Sequence, residues 1–326
     1  MNEPETTTPE TFTDFFEREI LPGLAPLEEQ RRDRLRAATA RAAGSAFVTV
    51  LASLIAWLLG QPIVAAVILP AGAILGFLWA RQPARQHRAA LRDLVIPPLL
   101  RFLGDVDYHR QPGWHFELER FRRSGVLPAV DKAKVTLEDL VVGRYRDTDY
   151  RLVEARLKAK SRSKNKASGK ELFAGLLCDI SVPQDFAGRV LLVAAPGEAG
   201  DPTPQTPPDG LAGLSQVNLD HPTFEKRFSV YSDSPRMARG LLQPALLDSL
   251  LSIADDLKVR AMTCAFLEGR FLVALPEPKN LFEIGRLRRS LETVEQDLRR
   301  LAIEFTLPQR LIDNLHGERK PLLPGV

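Results

Sequence analysis

From residue 46 to residue 80 the chain reads AFVTVLASLIAWLLGQPIVAAVILPAGAILGFLWA, without one charged side chain. A bilayer-spanning helix needs about 20 apolar residues, with a lower limit near 17. Residues 42–59 and 63–80 each meet that length. Gly60-Gln61-Pro62 breaks the run, and Gly with Pro punctuates a tight reversal. The pattern therefore predicts a transmembrane helical hairpin rather than one long helix. A core helix of a soluble fold would carry a polar face, and neither segment has one. Gly72 and Gly76 form a small-xxx-small pair that lets the second helix approach the first. Trp57 and Trp79 sit near helix ends, where indole rings favour the headgroup level.

On either side of the hairpin the spacing stays helical. FTDFFEREILPGLAPLEEQRRDRLRAATARA predicts a short helix ending before Pro22, then a basic helix from near Pro26 into the membrane. ARQHRAALRDLVIPPLLRFL predicts a helix interrupted at Pro97-Pro98. GDVDYHRQPGWHFELERFRRSGVLP reads as a loop and a short helix around residues 116–123.

Past Leu127 the period changes to 2, the signature of strands. KVTLEDLVVGRY and DYRLVEARLKAK read as paired strands around Arg146-Asp147-Thr148, followed by KELFAGLLCDISVP and GRVLLVAA. Residues 196–216 are Pro- and Gly-rich and predict a long loop. FEKRFSVYS is a further strand candidate, PALLDSLLSIADDL an amphipathic helix, and VRAMTCAF with RFLVALP a hairpin. Ile284, Leu287, Leu291, Val294, Leu298, Leu301 and Phe305 alternate by threes and fours. They mark a C-terminal helix that either covers its own sheet or forms a homo-oligomer seam. About seven strands result. The expected class is α+β: a helical anchor (42–80) behind a tail and basic helix (1–41), a helical connector (81–126), and a mostly antiparallel domain (127–326). That meander would suit a partly closed barrel of the pleckstrin-homology kind.

Charge sets the orientation. Arg31, Arg32, Arg34, Arg36 and Arg41 precede the hairpin, and Arg81, Arg85, Arg88 and Arg92 follow it, while the turn carries none. Positive flanks stay cytoplasmic, so a multi-pass topology with both termini in the cytoplasm is expected. The acidic, Thr/Pro-rich residues 1–10 lack a basic n-region, which argues against a cleaved signal peptide and for a disordered tail. Net charge is +3, too small to make nucleic acid a bulk partner. The two cysteines, Cys178 and Cys264, read as small buried side chains in reducing surroundings.

Several stretches together resemble a family of bacterial membrane proteins called Domain of Unknown Function three-one-three-seven. They are FTDFFEREILPGLAPLEEQRR, LEDLVVGRY with DYRLVEARL, ELFAGLLCDISVPQDFAGRV, residues 224–276, and NLF at 280–282. The resemblance implies a bacterial inner-membrane protein with a cytoplasmic domain. It brings no catalytic residues.

Candidate chemistry is sparse. The sequence has no phosphate-binding P-loop, no GxGxxG, no HExxH and no GxSxG, so neither an enzyme activity nor a cofactor is expected. Asp105, His109, His115 and Glu117 are weak metal-ligand candidates, because their spacing matches no closed site. KAKSRSKNKASGK carries Lys158, Lys160, Arg162, Lys164, Lys166 and Lys170 and no acid. Beside an anionic leaflet each could contribute about 1 kcal/mol. No aromatic residues interleave them to stack on bases. Arg236 and Arg239 follow a strand end and could meet an acidic partner or a phosphate, unless they serve an ion-paired connection. The leading expectation is an inner-membrane protein with a cytoplasmic binding or scaffolding domain that contacts anionic lipid or a protein partner. The alternative is a membrane-bound, metal-dependent enzyme with a site assembled from distant residues.

Overall fold

The computed structural model describes residues 12–104, 106–128, 133–159, 169–182, 186–195, 211, 213–256, 262–276 and 294–316. The N-terminal tail, Asp105, most of the basic loop (160–168), most of the Pro-rich loop (196–210 and 212) and residues 277–293 lie outside them. The last segment holds Ile284, Leu287 and Leu291 of the expected seam, and NLF of the resemblance. The chain divides into two units: Met1–Phe102 with Glu283–Ala302 and Leu323–Val326, and Leu103–Phe282 with Ile303–Leu322.

In the first unit, α1 (Phe12–Phe15) and a π-helical turn (Phe16–Ile20) lead into α2 (Leu21–Leu58), followed by α3 (Pro62–Ala80) and α4 (Gln82–Leu103). The helix does not end before Pro22. That proline falls in the first turn of α2, where its missing N–H would have had no partner anyway. The interruption expected at Pro97-Pro98 is likewise absent, because both lie inside α4. Leu91, Val95, Ile96 and Leu99 are buried on that helix. At about 1.5–3 kcal/mol each, their burial outweighs the roughly 3 kcal/mol a helical proline costs.

Both arms are longer than a membrane requires, at 46 residues for Thr13–Leu58 and 41 for Pro62–Phe102. At 1.5 Å per residue the arms run roughly 60–70 Å, about twice the hydrocarbon thickness. Their outer halves match the predicted hairpin. Among the described residues, every exposed large hydrophobic side chain except Leu21 falls between Phe47 and Trp79. The glycines act as expected: a Cβ on Gly72 would meet Thr49 at 2.5 Å, and one on Gly76 would meet Ser45 Oγ at 2.5 Å. Ser53 Oγ donates to the Ala65 carbonyl at 3.0 Å across the same seam.

The inner halves bury an ordinary core. Phe16, Ile20, Leu24 and Leu27 of the N-terminal arm are buried, as are Leu91, Val95 and Leu99 of α4. The arms run antiparallel in matched steps. The rings of Phe15 and Phe102 stack at 4.6 Å, a Cβ on Gly23 would touch Leu94 at 2.5 Å, and Arg41 reaches Gln82 at 3.5 Å.

The second unit is built on a nine-stranded sheet in the order β1-β2-β3-β4-β9-β8-β5-β7-β6. The strands are β1 (Val106–His109), β2 (Ala133–Tyr145), β3 (Thr148–Ala159), β4 (Glu171–Ser181), β5 (Arg189–Ala194), β6 (Ser215–Val217), β7 (Phe228–Ser232), β8 (Thr263–Leu267) and β9 (Arg270–Pro276). Every pairing is antiparallel. The helices are α5 (Leu118–Ser124), α6 (Pro222–Glu225), α7 (Pro235–Leu241), α8 (Pro244–Asp256) and α10 (Leu307–Leu315), while α9 (Val294–Phe305) is divided between the two units.

Two expectations change. The sheet is not closed, because four-residue β1 and three-residue β6 form its two ends; the expected barrel is an open sheet. The stretch ahead of the short helix, expected as a loop, contains β1. Its alternating half-buried and exposed positions were too few to register as a period.

One face of the sheet packs on α5. Phe116, Phe121, Val126 and Leu127 meet Val153, Leu177, Leu191 and Leu272 there. Helix α10 contacts β3, β4 and α8. The turn Arg146-Asp147 has left-handed backbone at both positions, φ +49° and +60°, as a two-residue hairpin requires.

Candidate functional site

Strand β4 carries LLCDIS, a lone acid inside an apolar run. Alternation along β4 turns Asp179 to the side opposite Cys178, and its residue is only 1% exposed. A carboxylate that deep needs partners, and arginines from three elements supply them. Arg270 Nε of β9 donates to Oδ1 at 2.6 Å, Arg120 Nη1 of α5 to Oδ2 at 3.2 Å, and Arg151 Nη1 of β3 approaches Oδ2 at 4.0 Å. The register explains the convergence. Asp179 sits opposite Arg151 and, on its other side, opposite Leu272, two residues from Arg270. Arg120 is shared with Glu117 at 2.7 Å.

Beside this cluster a cavity of about 360 Å³ is lined by Asp107, Val142, Gly143, Arg144, Asp149, Tyr150, Arg151 and Arg270. Its floor is shaped by a close packing. Gly143 and Tyr150 face each other across β2 and β3, and a Cβ on Gly143 would meet the Tyr150 ring at 2.5 Å. Arg144 is drawn to Asp147 at 3.4 Å and Asp149 at 3.8 Å. The lining carries three guanidinium groups, balanced by Asp107, Asp149 and the adjoining Asp179, which already engages Arg270 and stands 4.0 Å from Arg151. Guanidinium forks match carboxylate and phosphate geometry, and they are the feature by which this pocket can meet an acidic group.

Nothing in the sequence reading singled out Asp179, Arg120, Arg151 or Arg270. The available signal was one acid, Asp179, inside the apolar run Leu172–Ile180 of β4.

The residues that were singled out are placed differently. Lys158 pairs with Glu171 at 3.9 Å at the end of β3, and Lys170 accepts through its carbonyl from Ala159 N at 2.8 Å. Lys160, Arg162, Lys164 and Lys166 lie outside the described residues. Arg236 and Arg239 are exposed on α7, and Arg239 Nε donates to the Asn218 carbonyl at 3.2 Å. The nearby acid Asp233 accepts twice from Arg189 N, at 2.9 and 3.0 Å. His109 and His115 are brought together, their rings stacked at 5.6 Å, but Glu117 faces Arg120 and Asp105 is not described. Among the described residues no three His, Cys, Asp or Glu side chains gather to hold a metal.

Cys178 and Cys264 are buried and unpaired. Burial pushes both thiols up, and for Cys178 the adjacent Asp179 charge adds to it. They are inert packing residues, as expected from sequence.

Residues 171–316 match the family model described as Protein of unknown function (DUF3137), the family that the quoted stretches resemble. The match covers the sheet from β4 onward and leaves the helical hairpin outside it. Among solved structures, the crystal structure of the mycobacterial trehalose monomycolate transport factor A, TtfA, is similar at 16% identity, covering 67% of this chain and 90% of that one with a TM-score of 0.33. That likeness is too distant to carry a function. No curated protein matches.

Proposed function

We propose that this chain is a bacterial inner-membrane protein whose helical hairpin anchors a cytoplasmic domain with a binding or scaffolding role rather than a catalytic one. The observation that carries the reading is the concentration of exposed large apolar side chains between Phe47 and Trp79. Water would penalise that surface at about 25 cal/mol per Å², and a contiguous apolar surface of this kind marks a membrane or a partner. Arginines at both feet of the hairpin and none at its tip support cytoplasmic termini. On the sheet domain, the arginine-lined pocket beside Asp179 supports recognition of an acidic group on a partner.

Extraction and labelling test this. The chain should stay with membranes through alkaline carbonate washing. A cysteine placed at Gln61 should react with a membrane-impermeant maleimide in intact cells, and one placed at Asp147 should react only after lysis. Release by carbonate, or labelling of both positions from outside, would overturn the reading. The binding role would be lost if affinity capture of the solubilised full chain recovers no stoichiometric partner sensitive to Arg151→Ala.

A further inference from the structure

Strand β2 is longer than the strand on its outer side. Residues 133–138 pair with β3 on one side, while β1 pairs only with Leu140–Gly143 on the other. Arg110 extends that ladder by one bond, its carbonyl accepting from Asp139 N at 3.1 Å. Beyond it the chain turns away through Pro112, at φ −62° and ψ −26°, towards the buried Phe116. Among the described residues, no strand pairs with the outer side of 133–138.

The backbone groups along that side can be assigned. Their direction alternates along a strand. Ala159 N donates to the Lys170 carbonyl on the β4 side, so Lys158, Arg156 and Glu154 turn theirs to β2. Opposite them stand Lys134, Thr136 and Glu138. The N–H and C=O groups of Val135 and Leu137 therefore point outwards. The side chains of these two residues pack on the sheet's hydrophobic cluster but stay half-buried. An open edge of this kind is a template for another strand.

Charge decides which strand fits. Lys134 and Glu138 are exposed, and each faces its own sign across β2 and β3: Lys134 stands opposite Lys158, and Glu138 opposite Glu154. Like charges placed so are destabilising. Lys158 turns to Glu171 at 3.9 Å, but among the described residues neither Lys134 nor Glu138 is in an ion pair. The run Lys134-Val135-Thr136-Leu137-Glu138 is its own complement when reversed. Laid antiparallel on a second copy about Thr136, it sets each Lys134 against a Glu138, each Val135 against a Leu137, and Thr136 against itself.

We propose that residues 134–138 of β2 pair antiparallel with the same residues of a second copy of this chain, joining two sheets edge to edge in a homodimer. Val135 of one copy and Leu137 of the other exchange both main-chain bonds. Lys134 and the partner's Glu138 meet at the closer, non-hydrogen-bonded positions, as do the two Thr136 residues on the two-fold axis. The surface is distinct from the expected C-terminal helix seam. It goes beyond the binding role and does not depend on it.

The test uses the full chain in maltoside micelles, with its oligomeric state read by native mass spectrometry. The parent should be dimeric. Lys134→Glu and Glu138→Lys should each weaken the dimer about tenfold or more, because symmetry converts both opposite-charge pairs into like pairs. Each change also sets opposite charges across β2 and β3, so the thermal midpoint of the monomer should not fall. The double variant Lys134→Glu, Glu138→Lys should restore the dimer. Thr136→Cys should form an intermolecular disulfide on mild oxidation, since Cα atoms at such a position lie about 4.5 Å apart. Lys134→Cys alone should not, because the two copies of that residue are roughly 13 Å apart along the strands. A monomeric parent, or a double variant that fails to restore the dimer, would overturn the proposal. A dimer indifferent to both single reversals would overturn it in favour of the C-terminal helix. Disulfide capture of a different protein by Thr136→Cys in cells, with no self-linked product, would overturn the second copy as occupant.

Discussion

Arg270 Nε lies 2.6 Å from Oδ1 of Asp179, and the carboxylate it holds is sealed between β4, β9 and α5. Removing one member of a buried ion cluster is far more damaging than removing an exposed pair, since the remaining charges stay desolvated. Asp179→Ala should destabilise the chain by about 3 kcal/mol. Asp149→Ala, at a largely exposed carboxylate in the same pocket, should stay within about 0.5 kcal/mol. Chemical unfolding of the solubilised chain separates the two; equal effects would show that the cluster is not buried in solution.

The hairpin seam depends on glycines. Gly76→Leu would force a side chain into Ser45 Oγ, which already stands 2.5 Å from the position of a Cβ. Overpacking of this kind costs about 1–3 kcal/mol, so the helical melting temperature should fall. Gly44→Ala, with nothing within 4 Å, should raise it slightly, because alanine favours the helix.

Tyr108 donates its hydroxyl to the Asp139 carboxylate, which is 0% exposed and sits at a bulge between Glu138 and Val141. Tyr108→Phe removes that donor and should cost about 1–3 kcal/mol. Asp139 has φ +57°, a left-handed conformation glycine adopts freely. Asp139→Gly should therefore be better tolerated than Asp139→Val in the same unfolding measurement.

Both thiols titrate above their ordinary value of 9.0 in the fold. The folded chain keeps those protons while the unfolded chain loses them above that value. Their contribution to stability is thus complete below about pH 9 and declines as pH rises further. A Cys178→Ala, Cys264→Ala variant should show a shallower loss of melting temperature between pH 8.5 and 10.5. Neither thiol should react with iodoacetamide at pH 8 until the chain is denatured.

Local regularities carried much of this architecture in the sequence. An uncharged run broken by Gly60-Gln61-Pro62 defined the two apolar arms, because hydropathy and turn chemistry act between near neighbours. Period-2 alternation marked most of the strands, and the Arg146-Asp147 turn joined β2 to β3 as expected. Strand order, openness of the sheet and the continuation of helices through Pro22 and Pro97-Pro98 depended on which faces found partners. No local propensity contains that information. The same holds for the sites. Asp179 becomes a cluster only because β3, β9 and α5 bring Arg151, Arg270 and Arg120 to it, and His87 is buried only because α4 turns that side inward with Leu91, Val95 and Leu99. In each case the charge is legible in the sequence, and its burial beside particular partners is a property of tertiary packing.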